Sequence, residues 1–400
     1  MTHAGRRGVT FHEALELVRL AAPSPRTEPV ALEALTGRVL AEDVRARVDH
    51  PAFTNSAMDG FALRAEDAEA LAPLRLVGES RAGAPFTGHV GAGEAAHIST
   101  GGELPAGADT VLRREDAHAD GDGWVTPRVA PPLGTAVREA GGDVRRGQVL
   151  LPAGHVVAPH EVAVVAAAGH PEALCRARPR VVVLGTGDEV VPAGWDLGPG
   201  QVYDANRPGI AAQARAAGAD VLANALVPDD PAATVAAVRQ GLDGDASGAP
   251  DLLVTTGGVS VGDHDHLRPA FDAVGAREIL FGVQIRPGHP LWLGRLGDRV
   301  ILGLPGNPVS AAVCFHVFGR PLLGRDDGWE RRMPLASDYA KRTPRTDLIR
   351  CREVAGALEP LPRQASHNVT SLAGATHIAA IPAEREAMAA GELVSCCPLV

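Results

Sequence analysis

Lysine is almost missing from this chain of 400 residues: among 38 lysines and arginines, Lys341 stands alone, so nearly every fixed positive charge is a guanidinium. Aromatic residues make up only 4%. The five cysteines (Cys175, Cys314, Cys351, Cys396 and Cys397) show no CxxC spacing, and the adjacent pair at 396–397 is badly placed to bridge itself. That argues against a zinc or disulfide framework and for free thiols in a reducing cytoplasm. No stretch approaches the ~20 uninterrupted apolar residues of a membrane span, and no apolar core follows the basic N-terminal residues, so neither a membrane anchor nor a secretory signal is expected. The net charge of -10 offers no basic face for duplex nucleic acid, yet leaves room for small anionic substrates held with a metal. GxGxxG and Walker motifs are absent, and no serine–histidine–acid arrangement stands out.

At this length two to four domains are expected. Residues 10–20 (TFHEALELVRL) place Thr10 and Glu13 as a capping box before an amphipathic helix. A second helix is predicted over 28–35, ended by Gly37. From about 44 to 143, short apolar runs alternate with Gly/Pro turns, as in an all-β module. Helix returns at 161–168. From Arg180 onward strands alternate with helices: RVVVLGTGDE, a helix at 209–217, ADVLANALV, a helix at 231–241, PDLLVTTGG, a helix at 266–274, RVILGLPGNP and a helix at 309–317. That order predicts a parallel sheet with sites at the C-terminal ends of its strands. After Gly324 short strands resume.

The residues that can carry chemistry lie in loops. TNSAMDGFALRAED (54–67) mixes Asn55, Ser56 and Asp59 with Met58 and Phe61, which suits a loop that docks the Asp59 carboxylate into a site; a capped turn accounts for the same residues. Gly185, Thr186, Gly187, Asp188 and Glu189 follow an apolar strand, with glycines that allow close backbone approach to a ligand. Gly257, Gly258, Ser260 and Gly262 open a candidate phosphate cradle ahead of a helix, followed at once by Asp263, His264, Asp265 and His266. Amides for phosphate beside carboxylates match a magnesium-bridged phosphate, although both aspartates could simply cap the helix. Pro305, Gly306, Asn307, Pro308 and Ser310 form a rigid turn with an amide suited to a base or pterin edge. Asp204 and Asn206 follow another strand, as do Asp229 and Asp230, where helix capping competes with a site role. Thr100 lies in a glycine-rich turn of the β-module.

Taken together, NSAMDGFA (55–62), STGGELPAGAD (99–109), GTGDE (185–189), YDANR (203–207), TTGGVSVGDHDH (255–266) and GLPGNPVSA (303–311) resemble the molybdopterin molybdenumtransferase family, the MoeA proteins and the gephyrin E domain. The resemblance runs from about residue 10 to the C-terminus and includes RQASHNVTSL (363–372). It implies a multidomain α/β plus β protein. A small, discontinuous helical linking domain would cover 28–45 and 145–176, and an inserted β-rich domain 46–144. A central α/β parallel-sheet domain of molybdopterin-binding type would cover 10–27 and 177–323, and a C-terminal β-barrel 324–400. It implies elongated homodimers whose active cleft is shared between subunits. Its chemistry is insertion of molybdate into adenylylated molybdopterin with release of AMP, which forms the molybdenum cofactor. The matching catalytic positions are Asp59, Thr100, Glu189, Asp229 and Asp265, with magnesium on Asp59, Glu189 and Asp265. The molybdopterin adenylyltransferase and apo-molybdoenzymes are the partners implied.

One turn departs from the pattern. The family's KPGKP reads Arg286-Pro287-Gly288-His289-Pro290, and a lysine common four residues earlier is Gly282. The scarcity of lysine explains Arg286 but neither His289 nor Gly282, so positive charge for the molybdate dianion is reduced. Two alternatives to the enzyme follow: a non-catalytic paralogue that binds cofactor or a partner as a scaffold, and a molybdopterin adenylyltransferase. The retained carboxylates oppose the first, and the chain length and SAMDG loop oppose the second.

Overall fold

The computed structural model describes residues 5–244, 248–259, 265–326, 328–341 and 343–399. They form two compact units, one of residues 26–177 and one that joins the N-terminal 25 residues to 178–400.

The larger unit is built on a seven-stranded sheet in the order Arg6–Val9, Arg277–Val283, Trp292–Leu296, Arg299–Leu304, Leu252–Thr256, Arg180–Thr186, Asp220–Val227. All strands but one run parallel; Trp292–Leu296 is antiparallel to both neighbours. The alternation behind the sheet is readable in single residues. Val181 and Val183 point into one core with the helices Phe11–Ala21, Asn206–Ala216 and Pro308–Cys314. Val182 and Leu184 point into a second core with Pro231–Asp243 and Leu267–Ala273. Both faces are covered, which is why these strands are apolar throughout rather than alternating. Thr10 caps the first helix as expected: its hydroxyl accepts from the Glu13 amide (3.3 Å) and the Glu13 carboxylate accepts from the Thr10 amide (2.8 Å).

The C-terminal segment forms a second sheet in the order Ile285–Arg286, Thr346–Val354, His377–Ile381, Leu393–Pro398, Arg332–Pro334. Its first strand belongs to the turn after the Arg277–Val283 strand, and pairs Ile285 with Thr346 and Arg286 with Asp347 in parallel. The two sheets of this unit are therefore sewn together at one dipeptide.

The smaller unit holds a six-stranded sheet in the order Thr110–Arg113, Gly60–Leu63, Glu94–Ile98, Leu74–Ser80, Trp124–Pro127, Ala117–Ala119. The helix predicted over 28–35 does not form. Thr27–Ala31 is a strand paired with Glu172–Arg176, and only Leu32–Ala34 winds into a short 3-10 turn. Pairing to a distant strand outweighs the local apolar spacing, and Val30, Leu35, Leu40, Val165 and Cys175 are buried together beneath it. All five cysteines are free and buried; burial pushes the Cys351 thiol up to about 12, as suits inert structural thiols. Among the described residues no helix is long and apolar enough to cross a membrane.

Candidate active site

In the larger unit the loops at the C-terminal ends of the parallel strands surround a cleft of about 1100 Å³. Thr186, Gly187 and Glu189 come from the loop after Arg180–Thr186, and Asp204 and Asn206 from the segment before the Asn206–Ala216 helix. Asp229 follows Asp220–Val227, while Gly257, Gly258 and Asp265 follow Leu252–Thr256. Arg286 and His289 belong to the 286–290 turn, and Pro305, Gly306, Asn307 and Ser310 close the Arg299–Leu304 strand. Ser260 and Gly262 lie outside the described residues.

The glycines are there for contact. Gly257 and Gly258 have φ of +85° and +56°, a region that side chains rarely enter. A Cβ on Gly257 would sit 2.9 Å from the Thr186 hydroxyl and 3.0 Å from its carbonyl oxygen. The Gly257 amide donates to the Leu304 carbonyl (3.3 Å), and the Leu267 amide donates to Gly258 (3.2 Å), so this loop is tied to its neighbour and to the next helix. Asn206 Nδ2 donates to the Gly306 carbonyl (2.7 Å). Since that carbonyl can only accept, the amide orientation is fixed, and Asn206 Oδ1 is buried with no protein partner among the described residues.

The structure separates Asp229 from Asp230. Asp230 is the N-cap of the Pro231–Asp243 helix and accepts from the Ala233 amide (2.7 Å). Asp229 instead accepts from the Asp188 amide (3.2 Å) while its own amide donates to the Asp188 carboxylate (3.0 Å), which clamps the 186–189 loop and leaves Asp229 at the cleft. Asp188, expected to contact ligand, is a clamp that does not line the cleft. Gly185 is also displaced from that role: it is buried, and a Cβ there would strike the Arg207 side chain at 2.8 Å. Asp204 lines the cleft but is 8% exposed and paired with Arg207, so its charge is largely spent on that guanidinium. Asp265 lines the cleft one residue before His266, which precedes the Leu267–Ala273 helix.

Positive charge enters from two directions. Arg286 comes from the altered turn, and Arg345, which the sequence reading did not select, comes from the C-terminal segment together with Ala365 and Ser366. Ser366 accepts from Asn307 Nδ2 at 3.3 Å. His289 Nδ1 lies 2.7 Å from the Val283 carbonyl, so Nδ1 carries a proton. Its Nε2 edge faces Gly282, where a Cβ would lie 3.9 Å away. The missing side chain at 282 leaves space beside the imidazole.

In the smaller unit, Asp59 precedes the Gly60–Leu63 strand and Thr100 follows Glu94–Ile98. Antiparallel pairing of Gly60 with Ile98 brings the two residues together. Asp59 Oδ1 accepts from the Thr100 amide (2.7 Å) and hydroxyl (2.9 Å). These bonds, the amide first, hold the exposed Asp59 carboxyl below the usual carboxylate range. Ser56, expected to bind ligand, is fully buried and its hydroxyl donates to the Met58 carbonyl (2.5 Å), a scaffold role that shapes the turn before Asp59.

The larger unit thus presents an anion-handling α/β cleft: glycine loops, carboxylates and guanidiniums at the carboxyl ends of parallel strands. The family description "MoeA N-terminal region (domain I and II)" matches residues 9–169, "Probable molybdopterin binding domain" matches 182–325, and "MoeA C-terminal region (domain IV)" matches 332–399. Among curated relatives, Molybdopterin molybdenumtransferase 2 of Mycobacterium tuberculosis is 34% identical over 96% of this chain and 98% of its own. Molybdopterin molybdenumtransferase of Haemophilus influenzae is 35% identical over 76% of this chain and 74% of its own. A solved MoeA protein of Pyrococcus horikoshii superposes with a TM-score of 0.84 at 28% identity, covering 97% of this chain and 98% of that one. The chain belongs to the MoeA family of molybdopterin molybdenumtransferases.

Proposed function

We propose that this protein transfers molybdenum from molybdate to adenylylated molybdopterin, releasing AMP and forming the molybdenum cofactor. The observation that carries the reading is the single cleft in which Glu189, Asp229 and Asp265 meet Arg286, Arg345 and His289 around the loops at 186–189, 257–258 and 305–310. An adenylylated pterin brings a pyrophosphate and two planar ring systems. Backbone amides and glycines serve the first, while the unpaired Asn206 Oδ1 and the Asn307 amide can meet donors and acceptors on ring edges. Molybdate is a dianion, and Arg286 and Arg345 supply two permanent charges for it. Two guanidiniums therefore remain at the cleft, which weakens the case for a non-catalytic scaffold.

The cleft's carboxylates fit magnesium by chemistry. They are hard oxygen donors, and among the described residues no cluster of three or more His, Cys, Asp or Glu forms a preassembled metal cage. Magnesium characteristically takes one or two carboxylates and completes its shell with water and substrate phosphate. Glu189 and Asp265 are its proposed ligands. When bound, it would neutralise phosphate charge. Asp59, kept ionised by Thr100, is a third catalytic carboxylate in this proposal. We further propose that the protein is a cytoplasmic homodimer with the four-domain division the resemblance implies.

The test is purified protein with adenylylated molybdopterin, magnesium and molybdate, scored for AMP. Asp59→Asn and Asp265→Asn should each lower AMP release at least about tenfold, roughly 1.4 kcal/mol of barrier, with the melting temperature preserved. Parental turnover in both variants would remove these carboxylates from the chemistry.

A further inference from the structure

Arg286 is backed by a buried carboxylate from the C-terminal segment. Asp347 is 1% exposed, and the strand register sets it opposite Arg286. Its Oδ2 accepts from the Tyr339 hydroxyl (3.0 Å) and its Oδ1 from the Thr343 hydroxyl (3.3 Å). Arg286 Nη1 lies 3.8 Å from Oδ2, beyond hydrogen-bond length but within reach of an ion pair. The buried Arg350, which donates to the Ser371 hydroxyl at 3.2 Å, is a second positive neighbour. A buried carboxylate is tolerated only with such compensation. Arg286 is one of the groups that compensate this buried carboxylate.

The consequence lies on the other side of the guanidinium. Arg286 is 27% exposed at its side chain and lines the cleft. Beyond Asp347, no hydrogen bond or ion pair holds its remaining nitrogens among the described residues. A planar guanidinium can face a carboxylate with one edge and a second anion with the other; a lysine ammonium has no second edge.

Resting on the molybdenum-transfer reading above, we propose that Asp347 is a positioning residue for oxyanion binding. It holds one edge of Arg286 so that the other presents fixed donors to molybdate in the cleft. The C-terminal segment thereby acts on substrate affinity through a residue that touches no substrate.

The test uses the full chain with Asp347→Asn, Arg286→Ala and the double variant. Three readouts are compared: molybdate dependence of AMP release, molybdate binding by calorimetry, and melting temperature. Asp347→Asn should raise the KM for molybdate about fivefold with kcat within about twofold, and weaken calorimetric binding alike. Arg286→Ala should do at least as much, and the double variant should match Arg286→Ala, since no guanidinium remains to be placed. Losses that multiply in the double variant, or an Asp347→Asn variant with parental molybdate dependence, would overturn the proposal. So would an Arg286→Ala variant that binds molybdate normally. Should Asp347→Asn fail to fold, Tyr339→Phe, which removes one donor from the same carboxylate, is put through the same cycle and judged by the same criteria. Absence of AMP release from the parent protein would strike the molybdenum-transfer reading alone, and molybdate calorimetry would still decide the roles of Asp347 and Arg286.

Discussion

Replacing Gly257 with alanine adds one methyl group at the point where three cleft loops meet. With φ at +85°, the alanine would carry roughly 1–2 kcal/mol of left-handed strain. Its Cβ would also press on the Thr186 carbonyl oxygen at 3.0 Å and the Thr186 hydroxyl at 2.9 Å. The hydroxyl can rotate away. The carbonyl belongs to the strand end and cannot, so overpacking adds about 1–3 kcal/mol unless the loop shifts. A shift is the easier escape, and it displaces Gly258 and the amides next to it. AMP release should therefore fall at least about tenfold, with a loss of melting temperature of only a few degrees. Gly275→Ala is the control. It has φ of +82° with nothing within 4 Å of the new Cβ and lies outside the cleft, so it carries the strain without the collision. The control should lose stability and keep its turnover. Parental AMP release by Gly257→Ala, with Gly275→Ala behaving as described, would refute the idea that this loop's backbone geometry serves the substrate.

Two further predictions concern residues with separable duties. Asp230→Ala should cost about 1 kcal/mol of stability through the lost N-cap and leave AMP release intact, whereas Asp229→Asn should lower AMP release and barely move the melting temperature; the reverse pattern would mean that cap and site residue have been misassigned. His316 is buried beside Arg320, and burial first, then that guanidinium, pull its pKa down to about 4. The unfolded chain therefore binds a proton there that the folded chain refuses, so stability falls as pH drops from about 6.5 towards 4, by up to about 3 kcal/mol for this group. Urea midpoints at pH 7 and 4.5 for the parent and His316→Gln measure the effect; equal losses in both proteins would rule it out.

The cleft was legible where chemistry sits beside a strand end. GTGDE, TTGG and GLPGNP each follow an apolar run, and the loops after such runs converge because parallel strands share one carboxyl edge. The choice between Asp229 and Asp230 was not legible, since both precede the same proline and only the clamp with Asp188 tells them apart. Arg345 was missed because no glycine loop or strand pattern marks it; pairing of Ile285–Arg286 with the strand beginning at Thr346 brings it there. The antiparallel run of Trp292–Leu296 was hidden for a similar reason. A short turn after the Arg277–Val283 strand permits reversal where a helix would have enforced a parallel return. The false helix at 28–35 shows the opposite failure, a convincing local pattern overridden by a partner strand more than a hundred positions away.

The dipeptide Ile285–Arg286 gives the C-terminal segment an unusual status. Leu348, Ile378, Ala380 and Cys397 share one apolar core with Val283, Ile285 and Phe318. A chain that stopped at the end of the α/β elements would bare that core and leave the two-residue strand as an open edge ready to recruit another chain. The C-terminal segment is thus a poor candidate for exchange between relatives as a detachable cassette. A transplanted segment would have to bring a strand in register with residues 285–286, a carboxylate at the Asp347 position and a matching apolar face. Sequence drift in this segment is consequently constrained by the turn at 286–290, and the two stretches should change together or not at all.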